Sequence, residues 1–323
     1  MIMITKNLGS QGITASQMGL GCMGMSEFYG KTNDAESLQT LKKAVELGVT
    51  FWDTADAYGP FKNEVLIGKA LKGIRNKITL ATKFGIVRDA AKPQARALNG
   101  KPAYVQQSCD ASLQRLNTEM IDLYYLHRVD SLTAVEDTVG AMAKLVKQGK
   151  IRGIGLSEVS AATIRKAHAI HPLTAVQSEY SLWSREPEDE ILQTCKELGI
   201  AFVAYSPLGR GFLTGEIKKM EDFALDDYRR TSPRFQGTNF KKNLELVHQL
   251  EQLSSKKGCT TAQLALAWVM AQGDTIFPIP GTKRIKYLAD NAAACKVIFT
   301  QKELETINII VPKNIAAGAR YPV

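Results

Sequence analysis

Metal-binding and disulfide patterns are absent from this 323-residue chain. It has four histidines and five cysteines, and no cysteine pair has the spacing of a zinc site or a redox motif. The odd number of cysteines also argues against a disulfide framework, so we expect reduced thiols. The amino terminus lacks the charged and then apolar build of a secretory signal. Together these features predict a cytoplasmic protein without a metal site.

Long apolar runs are also missing. No run approaches the ~18 residues that a membrane-spanning helix needs, so we do not expect a membrane protein. The formal net charge is +9, but the basic residues are spread along the chain and no nucleic-acid reader motif occurs. This charge suits a small anionic ligand equally well, and we expect no nucleic-acid partner. The oligomeric state, monomer or homo-oligomer, stays open.

The sequence does contain a recurring alternation of apolar strands and helices. Strands are predicted near 17–21, 49–53, 78–83, 121–127, 151–156, 174–178, 200–205 and 275–279. Helices are predicted from Thr32 or Asn33 to Gly48, and over 62–72, 102–116, 134–147, 160–168, 188–198 and 285–293. Eight strands that each precede a helix, without a long linker, favour an α/β protein with one (β/α)8 TIM barrel domain over residues 1–323. We further expect an N-terminal β-hairpin and a long irregular loop over 207–243, after strand seven.

An open doubly wound sheet is the main alternative to the barrel. The stretch Gly-Leu-Gly-Cys-Met-Gly at 19–24 matches the glycine fingerprint of dinucleotide-binding sheets. However, no helix clearly begins at Gly24, and the acidic residues Asp34 and Glu36 follow too soon to reach a ribose. The barrel is therefore the preferred interpretation.

Polar residues stand where the predicted apolar strands end. They are Asp53, Lys83, His127, Ser157, Glu158, Gln177, Tyr205 and Ser206. The last predicted strand ends at the turn residues Pro280 and Gly281. In a parallel barrel the carboxyl ends of all strands meet on one face, where active sites lie. The pattern therefore predicts one polar pocket.

The stretch Phe-Trp-Asp-Thr-Ala-Asp-Ala-Tyr-Gly at 51–59 suggests acid–base chemistry. The Tyr58 phenol can deliver a proton if its pKa is lowered from about 10. A Lys83 ammonium would lower that pKa, and an Asp53 carboxylate would keep the ammonium charged and oriented. His127 is expected at the same strand mouth. A phenol and an imidazole together would stabilise the negative charge that hydride attack builds on a carbonyl oxygen, which requires no metal.

Two further segments suit phosphate groups. Ser-Pro-Leu-Gly-Arg over 206–210 places backbone amides near Leu208 and Gly209, together with Arg210, where they would face a pyrophosphate. Lys283 and Arg284 precede a predicted helix, whose free amino-terminal N–H groups attract anions. Two adjacent cations there suggest a phosphomonoester.

These motifs, taken together, resemble the aldo-keto reductase superfamily in the right order and over essentially the whole chain. Leu-His-Arg at 126–128 and Gly-Leu-Ser-Glu at 155–158 are similar to a branch with bacterial, yeast and plant members that includes perakine reductase and pyridoxal reductase. The resemblance implies a (β/α)8 barrel and NADPH-linked reduction of small aldehydes or ketones, with Tyr58 as the general acid. The alternative is an NADP(H)-binding regulatory or redox-sensing subunit with low turnover, which resembles the channel-associated branch.

The resemblance also implies roles for individual side chains. His127 would orient the carbonyl, with a share in proton delivery left open. The cofactor contacts would be Ser157 and Gln177 to the carboxamide, Tyr205 against the nicotinamide ring, Ser206, Leu208 and Arg210 to the pyrophosphate, Gly281 in the turn before the phosphomonoester site, Lys283 and Arg284 to the 2′-phosphate, and Asp290 and Asn291 to the adenine. Glu158 stands where many members have asparagine, so it either accepts from the carboxamide NH2 or points elsewhere. Candidates for the substrate pocket are Met25, Phe28, Trp52, Phe84, Arg128 and Trp183.

Overall fold

The computed structural model describes residues 3–89 and 92–321. Its strands are β1 (Thr5–Asn7), β2 (Thr14–Ser16), β3 (Leu20–Gly21), β4 (Phe51–Asp53), β5 (Thr79–Phe84), β6 (Ile86–Asp89), β7 (Lys92–Leu98), β8 (Ile121–Leu126), β9 (Ile151–Ser157), β10 (Ala175–Glu179), β11 (Ala201–Tyr205) and β12 (Ile276–Pro278). Its α-helices are α1 (Asp34–Glu46), α2 (Lys62–Leu71), α3 (Pro102–Leu116), α4 (Val135–Lys147), α5 (Ala161–Ile170), α6 (Ile191–Glu197), α7 (Gly237–Lys257), α8 (Thr261–Ala271), α9 (Ile285–Ala293) and α10 (Gln301–Ile310). Within these ranges, no helix is both long enough and apolar enough to cross a membrane.

Eight of these strands form one parallel sheet that curls into a barrel. The strand order is β3, β4, β5, β8, β9, β10, β11 and β12, and neighbours along this order are hydrogen-bonded. The amides of Gly19 and Gly21 donate to the carbonyls of Pro278 (2.9 Å) and Pro280 (3.2 Å), which joins β3 to the end of β12. A helix follows each of these strands, so the predicted (β/α)8 fold is confirmed.

Two apolar layers explain why the strands read as continuous hydrophobic runs. Residues that point into the barrel, such as Phe51, Leu123 and Phe277, form one buried cluster, and residues between the strands and the helices form another. The β1–β2 hairpin contributes Leu8 and Ile13 to the inner cluster and so plugs the amino-terminal end of the barrel. The carboxyl ends of the strands remain open to a cleft.

Helix boundaries follow the local signals in the sequence. The Asn33 side chain accepts a hydrogen bond from the Glu36 amide (3.2 Å) and caps α1. Of the two candidates for this cap, Thr32 and Asn33, the cap is therefore Asn33. At the other end, Gly48 takes a φ of 77°, which ends the helix. The predicted boundaries of the second to sixth helices agree with the structure to within about three residues.

The connections differ more from the prediction. The region after β11 contains short 3-10 turns at Gly209–Thr214, Met220–Asp222, Tyr228–Thr231 and Pro233–Phe235, but α7 already begins at Gly237. Residues 237–243 are therefore helical and do not belong to an irregular loop. The antiparallel β6–β7 hairpin was not predicted at all.

Candidate active site

Lys83 is buried at the centre of the site, near the carboxyl end of β5. Its ammonium donates to the Asp53 carboxylate at the end of β4, to the Thr54 carbonyl (2.7 Å) and to the Tyr58 hydroxyl (3.1 Å). Tyr58 lies in the turn between β4 and α2 and faces the cleft. The structure thus places the Lys83 ammonium in direct contact with both the Asp53 carboxylate and the Tyr58 phenol.

The protonation of this group differs from the expectation in one respect. Burial raises the pKa of Tyr58 above 10, and the nearby Lys83 charge only partly opposes that rise. The expected net lowering of the phenol pKa is therefore not found, because desolvation outweighs the Coulombic attraction. Burial alone would lower the pKa of Lys83, but Asp53 and Tyr58 raise it above its ordinary value. At neutral pH the site contains a charged ammonium beside a protonated phenol.

His127 directly follows β8, and its ring meets the Tyr58 ring edge-on with 5.7 Å between centroids. Burial, and then the charges of Lys83 and Arg128, hold the pKa of His127 well below 6.5. The imidazole is therefore neutral at pH 7. Its Nδ1 atom is buried and has no hydrogen-bond partner among the described residues. A neutral ring can orient a carbonyl oxygen by hydrogen bonding, but it is not a proton source.

Gln177 supports Asp53 from the opposite side of the barrel. Its side-chain amide donates to the second oxygen of Asp53 (2.8 Å), and the Gln177 side chain is almost fully buried. Burial raises the pKa of Asp53, while Lys83 and Gln177 offset part of the rise. Sequence reasoning assigned Gln177 to a cofactor carboxamide and did not anticipate this contact with Asp53.

The side chains of Ser157 and Glu158, at the end of β9, have different hydrogen-bond partners. The Ser157 hydroxyl accepts from Arg128 (3.1 Å) and lines the cleft. Glu158 has a φ of 55° and accepts from the Glu179 amide (2.9 Å) and from Arg320. The Glu158 carboxylate is thus already bonded within the protein, which favours the alternative in which it points elsewhere than to the carboxamide.

A single cleft of about 1330 Å³ opens over the carboxyl ends of the strands. Every predicted catalytic or cofactor residue lines it except Lys83, which lies behind Asp53 and Tyr58. The cleft exceeds the ~300–1,000 Å³ typical of ligand pockets, and so has room for a dinucleotide together with a substrate. Of the six substrate-pocket candidates, Phe28 and Arg128 line the cleft. Met25, Trp52, Phe84 and Trp183 are buried in the core instead.

The turn after β11 carries Ser206 and Arg210 in backbone conformations that favour glycine, with φ of 48° and 60°. Such strain at non-glycine residues is common at functional sites. The turn is closed by the Gly209 amide, which donates to the Ser206 carbonyl (2.8 Å). The Arg210 guanidinium is not free in this turn: it donates to Glu179 (3.2 Å) and to the Arg320 carbonyl (3.0 Å).

Lys283 and Arg284 stand immediately before α9, as predicted. The Lys283 ammonium donates to the Tyr29 carbonyl (2.9 Å), so it ties the loop after β3 across the cleft. Burial, followed by the neighbouring Arg284 charge, lowers the pKa of Lys283. The Thr282 hydroxyl accepts from the Arg284 amide (3.1 Å) and shapes the entry into the helix.

Asp290 and Asn291 lie on α9 and line the far part of the cleft. Asp290 already accepts from the Gln263 side chain (2.7 Å) and from the Thr260 hydroxyl (3.0 Å), which connects α9 to the start of α8. Asn291 is buried.

Three parts of the cleft were missed by sequence reasoning. Arg88 and Arg96 reach it from the β6–β7 hairpin, Glu27 from the loop after β3, and Tyr321 from the segment after α10. The Tyr321 hydroxyl lies 2.9 Å from that of Tyr205. The alternation of Ile86-Val-Arg and Arg96-Ala-Leu was the only signal for the hairpin. Nothing local placed the tail beside Tyr205.

Known proteins are similar to this chain in sequence and in overall structure. The family model described as "Aldo/keto reductase family" matches residues 17–312. A glycerol dehydrogenase from Gluconobacter oxydans is 27% identical, with a TM-score of 0.86 over 99% of this chain and 97% of its own. An aldo-keto reductase from Bacillus halodurans in holo form is 26% identical, with a TM-score of 0.80 over 98% of both chains. A thermostable aldo-keto reductase in complex with the inhibitor epalrestat is 28% identical, with a TM-score of 0.76 over 95% of this chain and 100% of its own. Because the match spans nearly the whole barrel, this chain belongs to the aldo/keto reductase family of carbonyl oxidoreductases.

Proposed function

We propose that this protein reduces aldehydes and ketones to alcohols with NADPH, and that Tyr58 is the general acid. The observation that carries the proposal is the 3.1 Å contact between the buried Lys83 ammonium and the Tyr58 hydroxyl at the wall of the cleft. A phenol placed in this way can donate its proton and leave a phenolate that the ammonium stabilises.

The residues divide the chemistry as follows. When bound, the reduced nicotinamide supplies the hydride that adds to the carbonyl carbon. Tyr58 transfers its hydroxyl proton to the carbonyl oxygen, and Lys83 compensates the negative charge left on the phenol. Asp53 keeps Lys83 charged and is itself held by Gln177. His127, which is neutral, orients the carbonyl oxygen by hydrogen bonding.

The chain offers suitable groups for each part of NADPH. Ser157 and Tyr205 would hold the nicotinamide end, and Gln177 would add a contact if its bond to Asp53 is shared. Ser206, Leu208 and Arg210 would meet the pyrophosphate, Gly281, Lys283 and Arg284 the 2′-phosphate region, and Asp290 and Asn291 the adenine. The preference for NADPH over NADH rests on the two cations before α9, where helix N–H groups add to the attraction.

Steady-state oxidation of NADPH across a panel of carbonyl compounds tests this proposal. The panel includes aldehydes, ketones, quinones and pyridoxal, and also glyceraldehyde because a glycerol dehydrogenase has a similar structure. We expect turnover of about 1 s⁻¹ or more for at least one compound. A single turnover per cofactor with every compound would contradict the enzyme and favour a redox-sensing subunit.

The proposal also includes a cytoplasmic location. Cys22, Cys109, Cys195, Cys259 and Cys295 are all unpaired. Free thiols are typical of proteins in a reducing compartment. Fractionation of the source cells, with activity followed in the cytosolic and membrane fractions, tests this part.

A further inference from the structure

The β6–β7 hairpin presents two arginines to the cleft at one position of its ladder. Arg88 and Arg96 are cross-strand partners in this antiparallel pair, and both line the cleft. Side chains directly opposite each other lie on the same face of a hairpin, where like charges repel. Two like charges placed opposite each other, against this rule, are expected mainly at functional sites.

Arg88 is fixed next to the proposed proton donor. Its guanidinium donates to the carbonyl of Ala57 (2.9 Å), the residue before Tyr58, and its side chain is only 6% exposed. The same guanidinium lies 3.3 Å from the Glu27 carboxylate. Its Nε–H group, however, is buried and has no hydrogen-bond partner among the described residues. A buried donor on a charged group is costly unless something accepts from it.

Three arginines and one carboxylate line this part of the cleft. Glu27 supplies one carboxylate, against the guanidinium groups of Arg88 and Arg96. Burial and the Arg88 charge lower the pKa of Arg96, and Glu27 only opposes that effect. Arg128 adds a further cation to the cleft wall, where its charge acts on both Tyr58 and His127. Several cations along one cleft wall attract anions.

We propose that Arg88, Arg96 and Arg128 recognise an anionic group on the substrate, so that the preferred substrates are carbonyl compounds that carry a carboxylate or a phosphate. This inference rests on the proposed reductase function. The hairpin site lies beside Tyr58, whereas the cations expected to meet the cofactor phosphate precede α9. An anion bound here would accept from the Arg88 Nε–H and separate the two facing guanidinium groups.

A matched pair of substrates tests the inference. 4-Carboxybenzaldehyde and 4-nitrobenzaldehyde have planar substituents of the same shape, and only the first is charged. Glyceraldehyde 3-phosphate and glyceraldehyde form the phosphate arm, so the two arms show which anion is preferred. The measured quantity is the ratio of kcat/KM for the anionic compound to that for its neutral partner.

We expect R96Q to lower this ratio by about 10-fold to 100-fold in at least one arm, as for the loss of a hydrogen bond from a charged donor. R96K, which keeps the charge, should restore part of the ratio. R88Q should also lower it, and that change removes the bond to the Ala57 carbonyl as well. R165Q is the matched control, because Arg165 is half exposed on α5 and pairs with Glu197 away from the cleft. An unchanged ratio in R96Q would overturn the inference.

A binding measurement separates this inference from the proposed reaction. Calorimetric titrations with benzoate and with its neutral analogue benzamide, in the presence of NADP⁺, need no turnover. We expect benzoate to bind at least about 10-fold more tightly than benzamide, and R96Q to remove the difference. If no carbonyl compound is reduced but benzoate still binds in this way, the anion site stands and the reductase proposal fails. If aldehydes are reduced while benzoate and benzamide bind equally, the reductase stands and the anion site is refuted.

Discussion

The Lys83 ammonium is charged although the residue is fully buried. Its surroundings show how the site offsets the free-energy cost of burying that charge. An isolated buried ammonium is strongly unfavourable, whereas one that has several acceptors and a carboxylate partner is tolerated. Lys83 has three acceptors, in Asp53, Thr54 and Tyr58. Asp53 and Tyr58 both line the cleft, and Tyr58 is the one that carries a proton to donate, so the charge acts on the reacting side through the phenol.

The variant Tyr58→Phe removes the proposed acid and keeps the ring. We expect kcat for carbonyl reduction to fall by about 100-fold to 10,000-fold, the usual contribution of general acid catalysis. NADPH binding, followed by the fluorescence of the bound cofactor, should be retained. Tyr104→Phe on α3, outside the cleft, serves as the control. Full turnover in Tyr58→Phe would refute the acid assignment.

The protonation states also predict a pH profile. Tyr58 donates only while protonated, so activity is present below its pKa, which burial raises above 10, and is lost as the pH rises through it. His127 acts as a neutral donor, so activity is present above its pKa, which lies well below 6.5, and is lost only as the pH falls through that value. We therefore expect kcat/KM for reduction to stay level from about pH 6 to about pH 9. An inflection near pH 6.5 that disappears in His127→Gln would contradict the neutral histidine.

At this scale the sequence predicted which residues meet, but not how every one of them is used. Asp53, Lys83 and His127 could be assigned to one face because each follows or ends a parallel strand. The direction of the Tyr58 pKa shift could not be predicted, because it depends on how completely the folded chain excludes water. The bond from Gln177 to Asp53 joins residues 124 positions apart and appears only when the barrel closes.

Among the elements, the start of α9 combines a local signal with a contact that the sequence did not reveal. Adjacent cations before a predicted helix were enough to suggest a phosphate site. The structure adds that Lys283 holds the Tyr29 carbonyl, so this helix end also fastens the loop after β3 over the cleft. Under the proposed function, cofactor discrimination and the position of this loop would be linked through the Lys283 side chain.

The variants Arg284→Met and Lys283→Met test the helix end. We expect each to raise the ratio of KM for NADPH to KM for NADH by about 10-fold or more, because only NADPH has the 2′-phosphate that these cations would meet. Lys283→Met should also raise both KM values, since it releases the Tyr29 carbonyl. Lys302→Met, an exposed position on α10, is the control. Equal changes for the two cofactors in Arg284→Met would remove the phosphate assignment.

Sequence reasoning missed the helices α8 and α10, and it also missed two elements near the cleft, the β6–β7 hairpin and α7. The hairpin and α7 lie in long connections after barrel strands. They are not part of the regular alternation of one strand and one helix that revealed the barrel. The hairpin nevertheless places Arg88 beside the residue before Tyr58. Connections of this kind commonly carry specificity, while the strands beneath them provide a rigid support.

At the scale of the whole molecule, the segment after α10 returns to the cleft and is fastened there by charge. The buried carboxylate of Glu179 lies within 3.2 Å of Arg210 and 3.7 Å of both Arg234 and Arg320. Three residues before Arg320, the Ala317 amide donates to the side chain of Asn243 on α7 (2.9 Å), and the Ala317 carbonyl accepts from the same side chain (3.0 Å). The tail thus connects the end of β10, the turn after β11 and α7.

Asn243→Ala should release this tail. In the unsubstituted protein the Asn243 side chain bonds the Ala317 amide, the Ala317 carbonyl and the Arg234 carbonyl. The change leaves these three groups without that partner, so we expect the free energy of unfolding to fall by about 1–3 kcal/mol. Tryptic cleavage after Lys313 and Arg320 should become faster. Denaturant unfolding and limited proteolysis measure the two effects, with the exposed Gln301→Ala on α10 as the control. Unchanged proteolysis would show that Asn243 does not hold the segment.

By itself the sequence determined the alternation of strands and helices, the barrel, and the set of polar residues at the mouths of the strands. It could do so because apolar periodicity reports which faces are buried, and parallel strands align their carboxyl ends. Only the tertiary structure decided that Arg88 faces Arg96 and that Glu158 turns to Arg320, 162 residues away. The physical reason is that a polar side chain is satisfied by whichever partner packing brings within hydrogen-bond distance, and that partner leaves no local pattern in the chain.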